Sequence, residues 1–500
     1  LKRFIAMARI AGILLGSILL IVAIGCGGGS STPPPTPTPT PGQIFPNDES
    51  LAQAPPVKLG TSGGNANDLG TKVCCIGTLG SLWTHVGTPN PVILSNNHVL
   101  DRSGQGAAGE AINQPLQLAC TAPGAPAPLT IAHLTQGAAL KPVANETTGP
   151  CASDPSKAVL CGHSPSNVDA AFAEIVTGQV DTSGNILDLG PVGATSIAAA
   201  PPSATLGVPT LGESVGKSGR TTGLTCSTIQ SLNVTILVDY EGKCGDTQNG
   251  IPAAFTAYFN NQITITGGAF SAGGDSGSLI VDTGTSRAIG LLYGGSPTST
   301  VANPIQDVIT AFGGAAAFSI IGGADHAISC AHTATASATQ VGTTQAALLP
   351  QERQRVTAVQ QKRAAQLMQD ASIKSVTVGA SADNPNEGAL LIHASGDAIP
   401  HVAPSIDGVR TRLVFDANAN PHFSIGAQEV ERATIVKEAH VGSLMGQPGI
   451  QGVGVSLSAD NPAETAVSIY VVKGVAHAAI PAVIDGVRTR IFEGDRFRAY

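Results

Sequence analysis

Gly273-Gly-Asp-Ser-Gly-Ser-Leu-Ile-Val281 is the stretch on which the reading of this chain turns. Ser276 stands in a run of glycines just before an apolar, strand-like segment. Glycines let the backbone approach a reacting carbonyl, and they free N–H groups to point at one spot. A turn that stabilises an oxyanion needs that arrangement, with Gly274 and Ser276 as its two donors. Upstream, Pro91-Val-Ile-Leu-Ser-Asn-Asn-His-Val-Leu100 is a strand-like run that delivers His98 to a turn. A hydroxyl and an imidazole presented in this way suit nucleophilic catalysis assisted by a general base.

Between the two lies Lys217-Ser-Gly-Arg-Thr-Thr-Gly-Leu224. Together these motifs resemble the trypsin-like (chymotrypsin-fold) serine endopeptidases, and more closely a bacterial and plant branch that carries the lysine-containing stretch. The resemblance covers about residues 70–322. It implies a mainly β, chymotrypsin-like double β-barrel with the catalytic groups in the cleft between the barrels. It also implies acyl transfer through a covalent acyl-enzyme, with the family order His, Asp, Ser. The acid must then lie between His98 and Ser276. Asn167-Val-Asp-Ala-Ala-Phe-Ala-Glu-Ile175 offers Asp169 at the mouth of an apolar run. An acid among apolar neighbours is costly unless paired, and an imidazole is its natural partner. Asp101, Asp154, Asp181 and Asp188 are rivals in loop or Gly/Ser-rich contexts, where a solvated carboxylate is the default. The order His, acid, Ser argues against an α/β-hydrolase. So does the frame Gly274-Asp-Ser-Gly-Ser278, which lacks the second glycine of a nucleophile elbow.

In the resembled family the strand after the nucleophile pairs with substrate backbone, and its glycines open the primary pocket. That implies Tyr293 and Gly294, within Ala288-Ile-Gly-Leu-Leu-Tyr-Gly-Gly295, as pocket-lining residues. Phe270, six residues before Ser276, falls where the family sets specificity. The absence of an Asp there argues against a preference for basic side chains.

The composition agrees with a β-rich chain. Of 500 residues, 42% are apolar and only 12% charged, while 60 Gly and 34 Pro supply many turns. The formal charge of −8, with no long basic run, argues against nucleic acid as a partner. Short strand-like runs punctuated by Gly and Pro suit a barrel or sandwich. Residues 323–345 are rich in Ala, Thr, Ser and Gly and read as a linker. The region beyond holds an internal repeat. Val376-Thr-Val-Gly-Ala-Ser-Ala-Asp-Asn-Pro385 recurs as Val453-Gly-Val-Ser-Leu-Ser-Ala-Asp-Asn-Pro462, and Ile406-Asp-Gly-Val-Arg-Thr-Arg412 recurs as Ile484-Asp-Gly-Val-Arg-Thr-Arg490. A helix-like run precedes each copy. The expectation is two small α+β units, 346–424 and 425–500, that pack on each other and offer a surface for self-association.

At the other end, Lys2, Arg3 and Arg9 introduce the apolar run Ile10–Ile24, which reads as a signal peptide over 1–25. Cys26 directly after Gly25 resembles a bacterial lipoprotein box, which implies a lipid on its sulfur. Residues 26–69 then form a Pro/Thr-rich spacer. The rest is expected at the cell envelope on the periplasmic or extracellular side, lipid-anchored or held by an uncleaved anchor, or else secreted. Eight cysteines remain after Cys26, an even number that favours disulfides in an exported chain. Cys226 with Cys244 and Cys151 with Cys161 are the candidate pairs. No His pair spaced with an acid is present, so neither a metal nor a cofactor is expected. The expected partner is a peptide or protein substrate. The competing reading is a catalytically inactive, protease-like binding or scaffold protein. A third is an esterase using the same groups.

Overall fold

The computed structural model describes residues 48–68, 76–115, 127–143, 166, 168–193, 196–240, 255–330 and 348–499. The expectations for residues 1–47, Cys26 included, fall outside the described residues, as do Cys74, Cys75, Cys120, Cys151, Cys161 and Cys244. Among the described residues no helix is long and apolar enough to cross a membrane.

The chain is mainly β. It begins with β1 (Thr61–Asn65), β2 (Gly77–Leu79), β3 (Ser81–His85), β4 (Val92–Ser95), β5 (Ala111–Gln114), β6 (Leu129–Gly137) and β7 (Ala171–Ile175). A second group is β8 (Ser214–Lys217), β9 (Thr225–Tyr240), β10 (Phe255–Thr266), β11 (Leu279–Asp282), β12 (Ala288–Ser296) and β13 (Ser299–Pro304). The strand β14 (Phe318–Ile320) returns to the first group, giving the order β14-β3-β4-β7-β6-β5-β1-β2. The second group pairs as β10-β13-β12-β11-β8-β9, and β9 pairs back onto β10, so it closes on itself. Closure pairs most of these strands on both sides, while parts of β9 and β12 take further partners from later in the chain. The two sheets share one apolar cluster, in which Trp83, Phe172 and Phe318 from the first meet Leu279, Val281 and Leu291 from the second. That shared core holds the two sheets against each other.

The short helix α1 (Asn97–Leu100) follows β4 directly, and α2 (Ile305–Ala311) follows Pro304. The apolar run Leu232–Val238 lies inside the much longer β9, because exposed Thr228 and half-buried Gln230 belong to the same strand ahead of it. One edge of β9 serves several partners in succession. Thr225–Thr228 face β8, and Ser231–Ile236 face the later strand β19 (Ile450–Leu457).

Residues 323–330 do not hang free as linker. Ile328 N donates to Thr283 O at 2.9 Å, Arg287 Nη2 meets Asp325 Oδ2 at 2.6 Å, and Cys226 is bonded to Cys330. This corrects the expected Cys226–Cys244 pair. Cys226 stands at the start of a 16-residue strand that carries the chain away from it, whereas Cys330 returns alongside.

Beyond residue 348 the order is α3 (Pro350–Leu367), β15 (Ile373–Ala380), β16 (Gly388–Ala394), β17 (Ser405–Ile406) and β18 (Val409–Val414). It is followed by α4 (Ala427–Met445), β19, β20 (Thr465–Val472), β21 (Val483–Ile484) and β22 (Val487–Gly494). In each set the first two strands are antiparallel and the last long strand joins in parallel. The Asp-Asn-Pro turns bind reciprocally. Asp460 accepts from Ser381 Oγ and Ala382 N, both at 2.6 Å, and Asp383 accepts from Ser458 Oγ and Ala459 N, both at 2.6 Å. Arg410 and Arg488 cross in the same way. Arg410 Nη1 donates to Thr489 O and Arg488 Nη1 to Thr411 O, each at 2.7 Å, while their Nε atoms meet Glu387 and Glu464. The last strand among the described residues is β23 (Arg498–Ala499).

Candidate active site

His98 lies on α1, one step beyond the Ser95-Asn96-Asn97 turn that ends β4. Its Nδ1 is 2.6 Å from Asp169 Oδ2, and its own N–H donates to Asp169 Oδ1 at 3.2 Å. Asp169 is fully buried, and its backbone is held from both sides. Asn96 Nδ2 and Asn303 Nδ2 donate to its carbonyl at 2.7 and 3.1 Å, and Asp169 N donates to Asn303 Oδ1 at 3.0 Å. Tyr240 completes the cradle by donating its hydroxyl to Asp169 Oδ2 at 2.8 Å. Burial, reinforced by the Asp169 charge, holds the Tyr240 phenol well above its ordinary pKa, so it stays a donor. Three partners, His98 N, His98 Nδ1 and Tyr240 Oη, therefore reach the buried carboxylate. Its rivals do not share that place. Asp101 binds Asn97 Nδ2 at 3.0 Å, Asp181 binds Asn185 Nδ2 at 2.7 Å, and Asp188 belongs to another cluster. Asp154 lies outside the described residues. Glu174 is structural, accepting from Asn90 N and Nδ2.

Ser276 sits between Gly274 (φ +100°) and Gly277 (φ +94°), left-handed conformations that favour glycine. Thr78 pins this turn to the first sheet, donating its N–H to Ser276 O at 2.7 Å and its hydroxyl to Gly274 O at 2.9 Å. The His98 segment arrives at the same spot. A methyl carbon added at Gly77 would touch the Val99 side chain and come within 2.9 Å of Ser276 O. Ser276 Oγ itself donates to Tyr293 O at 3.2 Å. Among the described residues the N–H groups of Gly274 and Ser276 have no hydrogen-bond partner, while Asp275 N and Gly277 N are both committed, to Ala272 O and Leu292 O.

Asp275 organises what surrounds the turn. It accepts from Thr221 N, Thr222 N, Thr222 Oγ1 and Ala272 N, and Lys217 Nζ lies 3.6 Å away. Burial pulls the Lys217 ammonium below its usual pKa and the Asp275 charge opposes this. The lysine-containing stretch thus acts as a brace for the nucleophile turn.

The pocket expectation needs correction. Phe270 and Tyr293 are both 0% exposed. Phe270 packs with Val215, Ile229 and Leu292, and its carbonyl is held by Thr225 Oγ1 at 2.7 Å. Tyr293 packs with Phe259, Tyr240 and Phe497, so its carbonyl and not its ring meets Ser276 Oγ. Gly294 is covered by the last strand of the chain.

Asp48, Glu49 and Asp188 bring carboxylate oxygens within 4.8 Å of one another. Burial, then the Asp188 charge, pushes the Glu49 carboxyl up to about 8, and burial, then Asp48, pushes Asp188 up to about 6. At Glu49 and Asp188, burial and a neighbouring charge both favour the neutral acid. Tyr240, Asn96 and Asn303 were not singled out from the sequence, since no local pattern announces a partner for Asp169 at such separations.

No protein-family profile matches the chain, and no curated protein does. Solved structures do match. One is described as a glutamic acid specific serine protease that uses a histidine triad in substrate binding, at 17% identity and TM-score 0.32, covering 53% of this chain and 100% of that one. Thermobifida fusca protease A follows at 15% and 0.31, with 53% and 99% covered. Cellulomonas bogoriensis chymotrypsin stands at 14% and 0.30, also with 53% and 99% covered. At such TM-scores the site's own geometry carries the functional reading.

Proposed function

We propose that the chain is an exported serine endopeptidase working through His98, Asp169 and Ser276. The supporting observation is the 2.6 Å His98–Asp169 pair, together with a glycine turn that holds the buried Ser276 and is tied to the first sheet by Thr78. In this reading Asp169 fixes the imidazole with its proton on Nδ1, leaving Nε2 as the base. Ser276 Oγ attacks the scissile carbonyl while Nε2 takes its proton. The tetrahedral oxyanion is received by the Gly274 and Ser276 N–H groups, each worth about 3 kcal/mol. Nε2 then returns the proton to the leaving amine, the C–N bond breaks, and an acyl-Ser276 ester remains. Water repeats the sequence and frees the carboxylic acid. The substrate is a peptide or protein met outside the cytoplasm, the compartment that the Cys226–Cys330 bond favours.

A second reading rests on Ser276 Oγ being turned to Tyr293 O: a protease-like scaffold that binds peptides without cleaving them. Stopped-flow hydrolysis of a nitrophenyl ester, with casein cleavage alongside, separates the readings. The proposal expects a burst of nitrophenol equal to the protein concentration, casein fragments, and loss of both in Ser276→Ala. Peptide binding with neither burst nor fragments overturns it. Ester turnover without fragments makes the chain an esterase.

A further inference from the structure

The last strand of the chain lies on the site. β23 pairs antiparallel with β12, Ala499 opposite Gly294 and Arg498 opposite Gly295. It also runs parallel to β9, with Arg498 opposite Asp239. It therefore fills the gap between two strands that each carry a residue of the site next door. Tyr293, whose carbonyl receives the Ser276 hydroxyl, precedes Gly294, and Tyr240, which donates to Asp169, follows Asp239.

The approach is close and specific. A Cβ built on Gly294 would stand 2.5 Å from Arg498 O, so a glycine is required for the strand to lie there. The segment is anchored just upstream. Phe497 is 2% exposed among Tyr240, Tyr293 and Tyr470. Its N–H donates to Gln451 Oε1 at 3.2 Å, and its carbonyl accepts from Asp239 N at 3.0 Å. Addition of an extended strand to an open sheet edge is a general mode of peptide recognition, with main-chain pairing supplying affinity. Here the peptide is tethered, which gives it a high effective concentration.

The resembled family takes substrate backbone on this strand; we propose that here the chain's own Arg498–Ala499 strand occupies that edge, at Gly294–Gly295, as a built-in competitor of the peptide. An extended peptide must displace this segment to reach Ser276. The inference builds on the protease reading for its consequence in turnover, but the docking itself can be measured without catalysis.

The test uses the full chain and a variant ending at Phe497, which keeps the aromatic anchor, both carrying Ser276→Ala. The probe is a fluorescein-labelled Phe-Arg-Ala-Tyr peptide, the sequence of residues 497–500, followed by anisotropy. Removing a tethered competitor should tighten binding by about tenfold or more. In the full chain Ala499→Pro, which loses the N–H and cannot pair normally, should behave like the shortened variant. Equal binding to full and shortened chains, or no binding to either, overturns the proposal. With Ser276 restored, kcat/KM should rise on shortening by a similar factor. If the peptide result holds while neither form turns over substrate, the docking edge stands and the hydrolytic reading falls.

Discussion

Two regions built from the same elements in the same order have met different fates. Strand β15 keeps one edge without a partner among the described residues, whereas its counterpart β19 is joined to the barrel through β9. Val376 corresponds to Val453, so Ser375 and Thr377 correspond to Gly452 and Gly454. The glycines let β19 close up. A Cβ on Gly454 would lie 2.7 Å from Val234 Cγ2 and 3.1 Å from Leu232 O. On β15 the matching Thr377 is exposed, and the exposed Lys374 adds a charge to this edge strand, pairing with Asp416 at 3.2 Å. Charge on an edge strand discourages pairing, and missing side chains invite it. The helices follow suit. Buried Lys437 on α4 donates to Thr235 Oγ1 of β9 at 2.9 Å, while Gln360 on α3 donates to Val376 O of its own sheet at 3.0 Å. Only the joined region leads on into a strand that reaches the site.

The comparison can be broken most severely at the crossed arginines. Arg488→Ala strips donors from Thr411 O and leaves Glu464 unpaired, so it should cost about 3 kcal/mol in urea unfolding. Arg410→Ala should cost as much, since its bonds mirror these. A large difference between the two would show that the regions do not share the interface evenly.

A smaller effect is expected with pH. Burial, then the Asp383 charge, raises the Asp460 carboxyl to about 6. A raised acid holds its proton better folded than unfolded. Its contribution is full below about pH 4 and lost as pH rises through about 6. Asp460→Asn should flatten that part of the stability profile, by about 1–3 kcal/mol across the window. An unchanged slope would remove Asp460 as its source.

At the joint itself, Gly454→Val should destabilise by about 1–3 kcal/mol through overpacking against β9. The reverse change in the other region, Thr377→Gly, should cost about 0.5–1 kcal/mol, the ordinary price of glycine in a strand. Equal losses in thermal unfolding would mean that close approach is not what distinguishes β19. Least of all, Lys374→Thr should leave stability within about 1 kcal/mol, because its pair with Asp416 is exposed. Sedimentation should instead show more self-association through the freed β15 edge, and a strictly monomeric variant would count against the edge argument.

Local chemistry was readable in the sequence and distant pairing was not. Glycines around Ser276, the turn at His98 and an acid opening an apolar run are signals within ten residues, and His98 and Asp169 are in contact. The mainly β character followed from short runs between Gly and Pro. Cys330 as the partner of Cys226 was hidden, because it depends on how a 16-residue strand and a returning segment lie side by side. Phe270 and Tyr293 looked like pocket walls by position, yet large rings near a core are drawn into it. Nothing local to Arg498-Ala499 announces that it pairs with Gly294-Gly295.

The nucleophile is the claim on which the rest hangs. The full chain and the variant ending at Phe497 would be treated with a fluorophosphonate, digested, and the peptide containing Ser276 weighed. The account predicts one adduct on Ser276 in both, formed faster in the shortened chain, and none after Ser276→Ala or with the protein unfolded. A folded protein whose Ser276 peptide stays unmodified in both forms would contradict it.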